Sequence, residues 1–259
     1  MIFDSHAHYD DEKFNEDRDE ILSSMQANGI GTIVNVGADI LSSMNSLKLS
    51  QEYPFIYAAL GVHPSDVDCL RDETFAWLCE HIHDDKVVAV GEIGLDYYWE
   101  KDHKKQQEQQ FWFRKQFMLA KKEEMPIIIH SRDAAQATYE MMTDMGAEQT
   151  IGVIHCYSYS MEFAREFIRM GYYIGVGGVV TFKNSKKLKE VVAEIPMNKI
   201  LLETDCPYLA PDPNRGKRNS SLNLPYVVAE IARIKNMSEA DVIAITEENA
   251  KRMYFERKQ

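Results

Sequence analysis

Near the start of the chain, one histidine stands two residues from another in Asp4-Ser5-His6-Ala7-His8. On an extended backbone, residues two apart project to the same side, so His6 and His8 can grip one cation together. Further polar residues close short apolar runs downstream, in Gly61-Val62-His63-Pro64, Gly91-Glu92-Ile93-Gly94, Ile129-His130, Ile154-His155 and Glu203-Thr204-Asp205. The donors are imidazoles and carboxylates with no cysteine in register, a set that suits Zn, Mn, Fe or Mg better than a thiolate site would. Counting His6, His8, Glu92, His130, His155 and Asp205, there are too many for one tetrahedral ion and about enough for two ions sharing a carboxylate. Glu92 is the natural bridge. Two such ions, about 3.5–4 Å apart, clamp the attacking and leaving oxygens of a phosphoryl displacement. A lone histidine in an apolar strand is more often a hydrogen-bonded core residue than a ligand. The case rests on the joint placement of all six.

Those positions need a frame. Apolar runs begin near Ile2, Thr32, Ile56, Val87, Ile127, Ile151, Tyr172 and Ile200. Their mean spacing is about 28 residues, the repeat of one strand plus one helix. Val87-Val88-Ala89-Val90 and Ile127-Ile128-Ile129 are continuously apolar, as parallel strands covered on both faces are. Amphipathic patterns over 106–123 and 160–170 predict helices between them. Gly29, Gly146 and Gly171 fall where helices should end, and Ser238 should cap a last helix reaching about Tyr254. Eight strand–helix units without a linker predict one closed (β/α)8 TIM barrel over residues 1–259. A doubly wound open sheet would need a glycine-rich turn after its first strand, which is absent. All six donors then sit at the C-terminal ends of strands, the face where barrel enzymes keep their active sites.

Several residues have two readings. Glu203 either supports a ligand or accepts a proton in catalysis. Asp96 and Asp133 either cap helices or orient ligands. His81, His83 and His103 fall in helix or loop patterns and are expected at the surface. Lys plus Arg number 29 against 41 Asp plus Glu, a formal charge of −12. The mean surface field should repel phosphate, so any nucleic-acid contact needs a local basic patch or bound cations. Arg215, with Lys217 and Arg218, is a candidate phosphate contact against a plain reading as solvated loop, and Arg132 either reaches the phosphate or pairs in the neighbourhood of Asp133. Tyr97, Tyr98 and Trp99 could stack on unpaired bases or simply pack on the next helix.

Hydrophobic residues at 45% and charged residues at 27% make an ordinary globular mix, which excludes a disordered, fibrous or small disulfide-rich chain. Cys69, Cys79, Cys156 and Cys206 form no C-x-x-C pair and are expected as free thiols in a reducing cytoplasm. No stretch approaches the roughly 20 apolar residues of a membrane helix, and Met1-Ile2-Phe3-Asp4 does not open like a secretory signal. A cytoplasmic monomer without an obligate protein partner is the expectation.

The pieces FDSHAHYD, GVHP, GEIGLDYY, IIIHSRDA, VIHCYS, LLETDCPYLAP and RGKRN run in order from residue 3 to 219. Together they resemble the TatD family of metal-dependent deoxyribonucleases. The resemblance implies a TIM-barrel hydrolase that cuts phosphodiester bonds, typically as a 3′→5′ exonuclease on DNA, single strands or 3′ ends being the expected substrate. It implies two divalent cations (Mg, Mn or Zn). His6, His8 and Asp205 would hold one and His130 and His155 the other, with Glu92 bridging and His63 near the phosphate. Asp205 is the candidate to orient the attacking water and take its proton. The chain departs from the family pattern at Tyr9, where a smaller aliphatic residue is usual, and at Tyr159, where glycine is usual. It departs again at Ser220-Ser221-Leu222, where an acidic residue and proline usually follow. The competing expectations are an amidohydrolase-like enzyme for a small amide, lactone or phosphoester, and a barrel that binds metal without catalysis. The first often bridges its metals with a carboxylated lysine, for which no strand end here offers a candidate. The second would be marked by a lost ligand, and none is lost.

Overall fold

Each apolar run becomes a strand in the computed structural model, which describes residues 1–256. The strands are β1 (Ile2–Ala7), β2 (Ile30–Val36), β3 (Ile56–Leu60), β4 (Val87–Asp96), β5 (Ile127–Arg132), β6 (Gly152–Ile154), β7 (Tyr173–Val176) and β8 (Ile200–Leu202). They pair in parallel in sequence order, the arrangement of a (β/α)8 barrel. The helices are α1 (Arg18–Ser24), α2 (Ile40–Glu52), α3 (Asp72–His81), α4 (His103–Lys122), α5 (Ala135–Asp144), α6 (Met161–Arg169), α7 (Lys186–Glu194), α8 (Leu224–Lys235) and α9 (Glu239–Tyr254). None of them is long and apolar enough to cross a membrane.

The strands are buried because helices cover them outside and side chains fill them inside; β1 and β4 are buried at every position. Helix α4 shows how a helix is both started and aimed. Asp102 accepts the N–H groups of Lys104 and Lys105, which satisfies its first turn. Trp112, Phe113, Phe117 and Ala120 then face the barrel. From the same face the Gln116 amide clasps both backbone groups of Val62 at 2.8 and 3.1 Å, fixing the segment that delivers His63. Helix α9 is capped by Ser238, whose side chain accepts from the Asp241 N–H. Its Ala250, Met253 and Tyr254 join Phe3, Val34, Ile128 and Leu201 in a second core cluster.

Three strands depart by two residues from their expected bounds, and one of them is β5, which runs past His130 to Arg132. β2 starts at Ile30, two residues early. β4 does not stop near Gly94 but runs on to Asp96, so Glu92 lies inside the strand. Its pairing with β5 shifts register between Val90 and Ile93, the stretch that carries Glu92. Gly94 permits the continuation, because a Cβ on it would collide with the backbone carbonyl of His130.

Between β1 and β8 a single bridge, Ala7 with Cys206, replaces a full ladder. The seam is closed mainly by the segment after β8. The His8 N–H donates to the Cys206 carbonyl at 2.8 Å, and the Asp205 N–H to the His6 carbonyl at 2.9 Å. Beneath these bonds the buried Asp4 carboxylate accepts from Thr204 Oγ1 at 2.7 Å and from Ser221 Oγ at 2.6 Å. Burial pushes its pKa up to about 6 against those hydrogen bonds.

Candidate metal centre

The seam carries His6, His8 and Asp205, and Glu92 reaches them from β4 where its register with β5 shifts. His6 Nε2 lies 3.1 Å from His8 Nε2, 3.3 Å from Glu92 Oε2 and 3.8 Å from Asp205 Oδ1. His8 Nε2 lies 3.9 Å from Glu92 Oε2 and 3.4 Å from Asp205 Oδ1. Donors held about 2.1 Å from a tetrahedral ion stand about 3.4 Å from one another, so these four atoms fit one divalent cation. The His8 Nδ1–H donates to the Val36 carbonyl at 2.8 Å, which leaves Nε2 free to ligate.

The other oxygen of Glu92 faces a different set of imidazoles. Its Oε1 lies 2.7 Å from His130 Nδ1, 2.8 Å from His155 Nε2 and 3.8 Å from His63 Nε2. Donor atoms of His63, Glu92 and His130 all lie within 4.8 Å of one another, a second group able to hold a cation. His63 thus stands among the donors as well as beside the cleft, so its position suits a ligand as much as a phosphate contact. Asp96 backs this group. Its Oδ2 lies 3.3 Å from His130 Nε2, while its Oδ1 accepts the N–H groups of Tyr98 and Trp99. It therefore holds the His130 ring and caps a turn at once, as a residue behind a metal ligand does.

Burial pulls every one of these imidazoles down, and the charges around each decide which recover. Burial and the charge of His155 hold His6 at about 4, and burial with His130 holds His63 at about 3. For His8, burial is outweighed by the hydrogen bond and charge of Asp205, leaving it at about 9. For His155, burial is outweighed by Glu92, leaving it at about 10. Burial alone would raise Glu92, but the charges of His155, His63 and His6 and the His130 hydrogen bond hold it well below the carboxylate range. Asp205 is lowered against its own burial by His8 and its other imidazole neighbours. Without metal, then, protons on His8 and His155 do the neutralising that cations would do.

The backbone at the site is unusual too. Cys156 (φ 46°) and Asp205 (φ 57°) sit in the left-handed region, uncommon for residues other than glycine and concentrated at functional sites. The donors open on a cleft of about 650 Å³, the size of a small-molecule site. Its rim carries Asp10, Asp66, Trp99, Arg132 and Tyr208. The Arg132 guanidinium stacks 4.2 Å over the Tyr98 ring, and Trp99 is 70% exposed. A smaller cavity lies at the opposite mouth of the barrel, lined in part by Met125, Pro126, Ile151 and Tyr254, away from all these donors.

Not every candidate residue reaches the cleft. Arg215 stacks 4.3 Å over Phe182 and is not among the lining residues. Arg218 instead pairs with Asp17. Glu203 is 1% exposed and lies behind the imidazoles, where its Oε1 accepts the Cys156 N–H at 2.5 Å. Burial raises its pKa to about 7. His81, His83 and His103 hold outer positions, bonded to Trp77, Glu123 and Gln106.

Two of the unusual residues prove to be partners. The Tyr9 hydroxyl lies 2.9 Å from Ser221 Oγ and accepts the Ser221 N–H at 2.8 Å. The Tyr159 hydroxyl accepts the N–H of Ala134, the residue that precedes α5, and lies 3.0 Å from Ser131 Oγ, tying the loop after β6 to the start of that helix. Asp10 was overlooked as a cleft residue, although it closes the FDSHAHYD piece; it accepts from Asn35 and Ser42, bracing the loops after β1 and β2.

A family model described as "TatD related DNase" matches residues 3–255. The uncharacterized metal-dependent hydrolase YabD of Bacillus subtilis is 45% identical, over 98% of this chain and 99% of its own. The crystal structure of YJJV, a TatD homolog from Escherichia coli, superposes with a TM-score of 0.91 at 29% identity, covering 98% of this chain and 97% of that one. A TatD family hydrolase from Entamoeba histolytica shares the fold, with a TM-score of 0.84 at 24% identity, covering 98% of each chain.

Proposed function

The chain belongs to the TatD-related family of metal-dependent hydrolases, and from that premise we propose that it hydrolyses phosphodiester bonds of DNA with two divalent cations, removing nucleotides from 3′ ends. One observation carries the reading: the two oxygens of Glu92 face two separate groups of imidazoles, as a carboxylate shared between two ions must.

When bound, such a pair supplies water acidified toward neutrality and positive charge for the phosphoryl oxygens. The chain's own residues do the rest. Asp205 is ionised at neutral pH and faces the cleft, so it can orient the attacking water and accept its proton. The His63 ring accepts the Ser65 N–H on Nδ1, which puts its proton on Nε2. From there it can donate to a phosphoryl oxygen. Arg132 offers a guanidinium held by Tyr98, and Trp99 an open ring for a terminal base. Among the described residues Arg132 is the one Lys or Arg lining the cleft, which suits a grip on one terminal phosphate. Tracking along a duplex engages many phosphates. Among the described residues no lysine lines the cleft to serve as a carboxylated bridge, and this supports phosphoester over amide chemistry.

The test is cleavage of end-labelled single-stranded DNA by protein stripped of metal and resupplied with Mg, Mn or Zn. Release of mononucleotides from the 3′ end is expected. No cleavage with any cation, beside turnover of an amide or lactone, would reject the reading.

A further inference from the structure

Glu203 takes no part in the cleft, yet its surroundings give it a task. Three buried polar atoms behind the donors lack a hydrogen-bond partner in the protein: His6 Nδ1, His155 Nδ1 and Glu203 Oε2. Folded proteins leave few such groups. The three residues form one cluster, with donor atoms within 4.8 Å of one another, and the His6 and His155 rings stack at 3.9 Å. Both rings direct Nε2 toward Glu92. An imidazole that ligates through Nε2 carries its proton on Nδ1 and needs an acceptor there, commonly a carboxylate, carbonyl or water. His155 Nδ1 stands 3.8 Å from Glu203 Oε1, the oxygen that the Cys156 N–H holds, so the ring makes no direct hydrogen bond to the carboxylate and Oε2 is left to take a bridging water.

We propose that Glu203 is a positioning residue shared by both metal groups, its carboxylate holding His6 and His155 through one buried water. That water would accept from both Nδ1–H groups and donate to Glu203 Oε2. Three bonds is the usual number for a buried water. The protein makes room for the carboxylate at Gly175, where a Cβ would strike Glu203 Oε2. The Cys156 N–H anchors the other oxygen, so the carboxylate cannot swing away. His6 belongs to one donor group and His155 to the other, so one side chain would set the aim of both.

This inference rests on the two-cation reading and is tested without DNA. Metal-stripped full-length protein is titrated with Co(II), and the two uptake steps are followed by calorimetry and by the ligand-field absorption bands. In Glu203→Ala both steps should weaken about 10–100-fold, with altered bands at each. Glu203→Gln keeps an acceptor in place and should recover most of both. Weakening of one step only, no weakening, or a Gln variant as poor as the Ala variant overturns the proposal. If Glu203→Ala fails to fold, a high-resolution crystal structure of the wild-type protein decides. A water bonded to all three atoms supports the proposal. A carboxylate bonded directly to one ring, with no water, overturns it. Wild-type protein that takes up two cobalt ions yet cuts no DNA would sink the nuclease reading and leave this one standing.

Discussion

Loading the metal-free protein with a divalent cation at pH 7 should expel protons, and the structure sets how many. A ligating imidazole must be neutral. His8 at about 9 and His155 at about 10 are both protonated at pH 7. His6 at about 4 and His63 at about 3 are already neutral and release nothing. His130 is raised by Asp96 and Glu92 against its burial, and adds a further share. The total is therefore about two to three protons per chain. Proton release makes apparent affinity rise with pH. For two protons the gain is about 100-fold, or about 2.7 kcal/mol, per pH unit between pH 7 and 8. Above the pH where His8 and His155 titrate, the dependence flattens. Calorimetric titration with Mn(II) at pH 7, in buffers of contrasting ionisation enthalpy, counts the protons from the slope of apparent against buffer enthalpy. A count below one would show that Glu92 and Asp205 do not hold charged imidazoles before the metal arrives.

Other outcomes follow from named contacts. Glu92→Ala removes the carboxylate that both donor groups share; cation stoichiometry should fall from two, and phosphodiester hydrolysis by at least about a thousandfold, with circular dichroism unchanged. Retained turnover in a folded, metal-loaded variant would reject the bridge. Trp99→Ala should raise KM for single-stranded DNA about tenfold and leave Mn(II) uptake as it was, stacking being its only role in this account. Asp4→Ala leaves the Thr204 and Ser221 hydroxyls without their buried acceptor, so denaturant unfolding should show a loss of about 3 kcal/mol.

The candidate ligands were legible as a group because each closes an apolar run, and a parallel barrel turns the end of every run toward one mouth. Glu92 lines the cleft at that mouth, but β4 continues past it to Asp96. The glycines at 91 and 94 resemble stops, whereas here they let two backbones approach closely. What stayed hidden depends on partners far apart in the chain. Nothing local links Tyr9 to Ser221, and each looked like a separate oddity until the seam brought them together. Arg215 looked like a phosphate contact because it is basic and follows β8; the ring of Phe182, over which it stacks, has no signature at that distance in sequence. Glu203 offered two readings because its neighbours come from β1, from the segment just after β6 and from β7, which no reading of its own segment reveals.

The closure between β1 and β8 has one more effect. A cation gripped by His6, His8 and Asp205 would fasten the first strand to the segment beyond the last, pinning a loop of about 200 residues whose ends few ladder bonds restrain. The ion would then serve the barrel as a clasp as well as a reagent. Chelation should loosen the His8 and Asp205 amides to hydrogen exchange before those of β4 and β5, so that the enzyme comes undone first where it is meant to work.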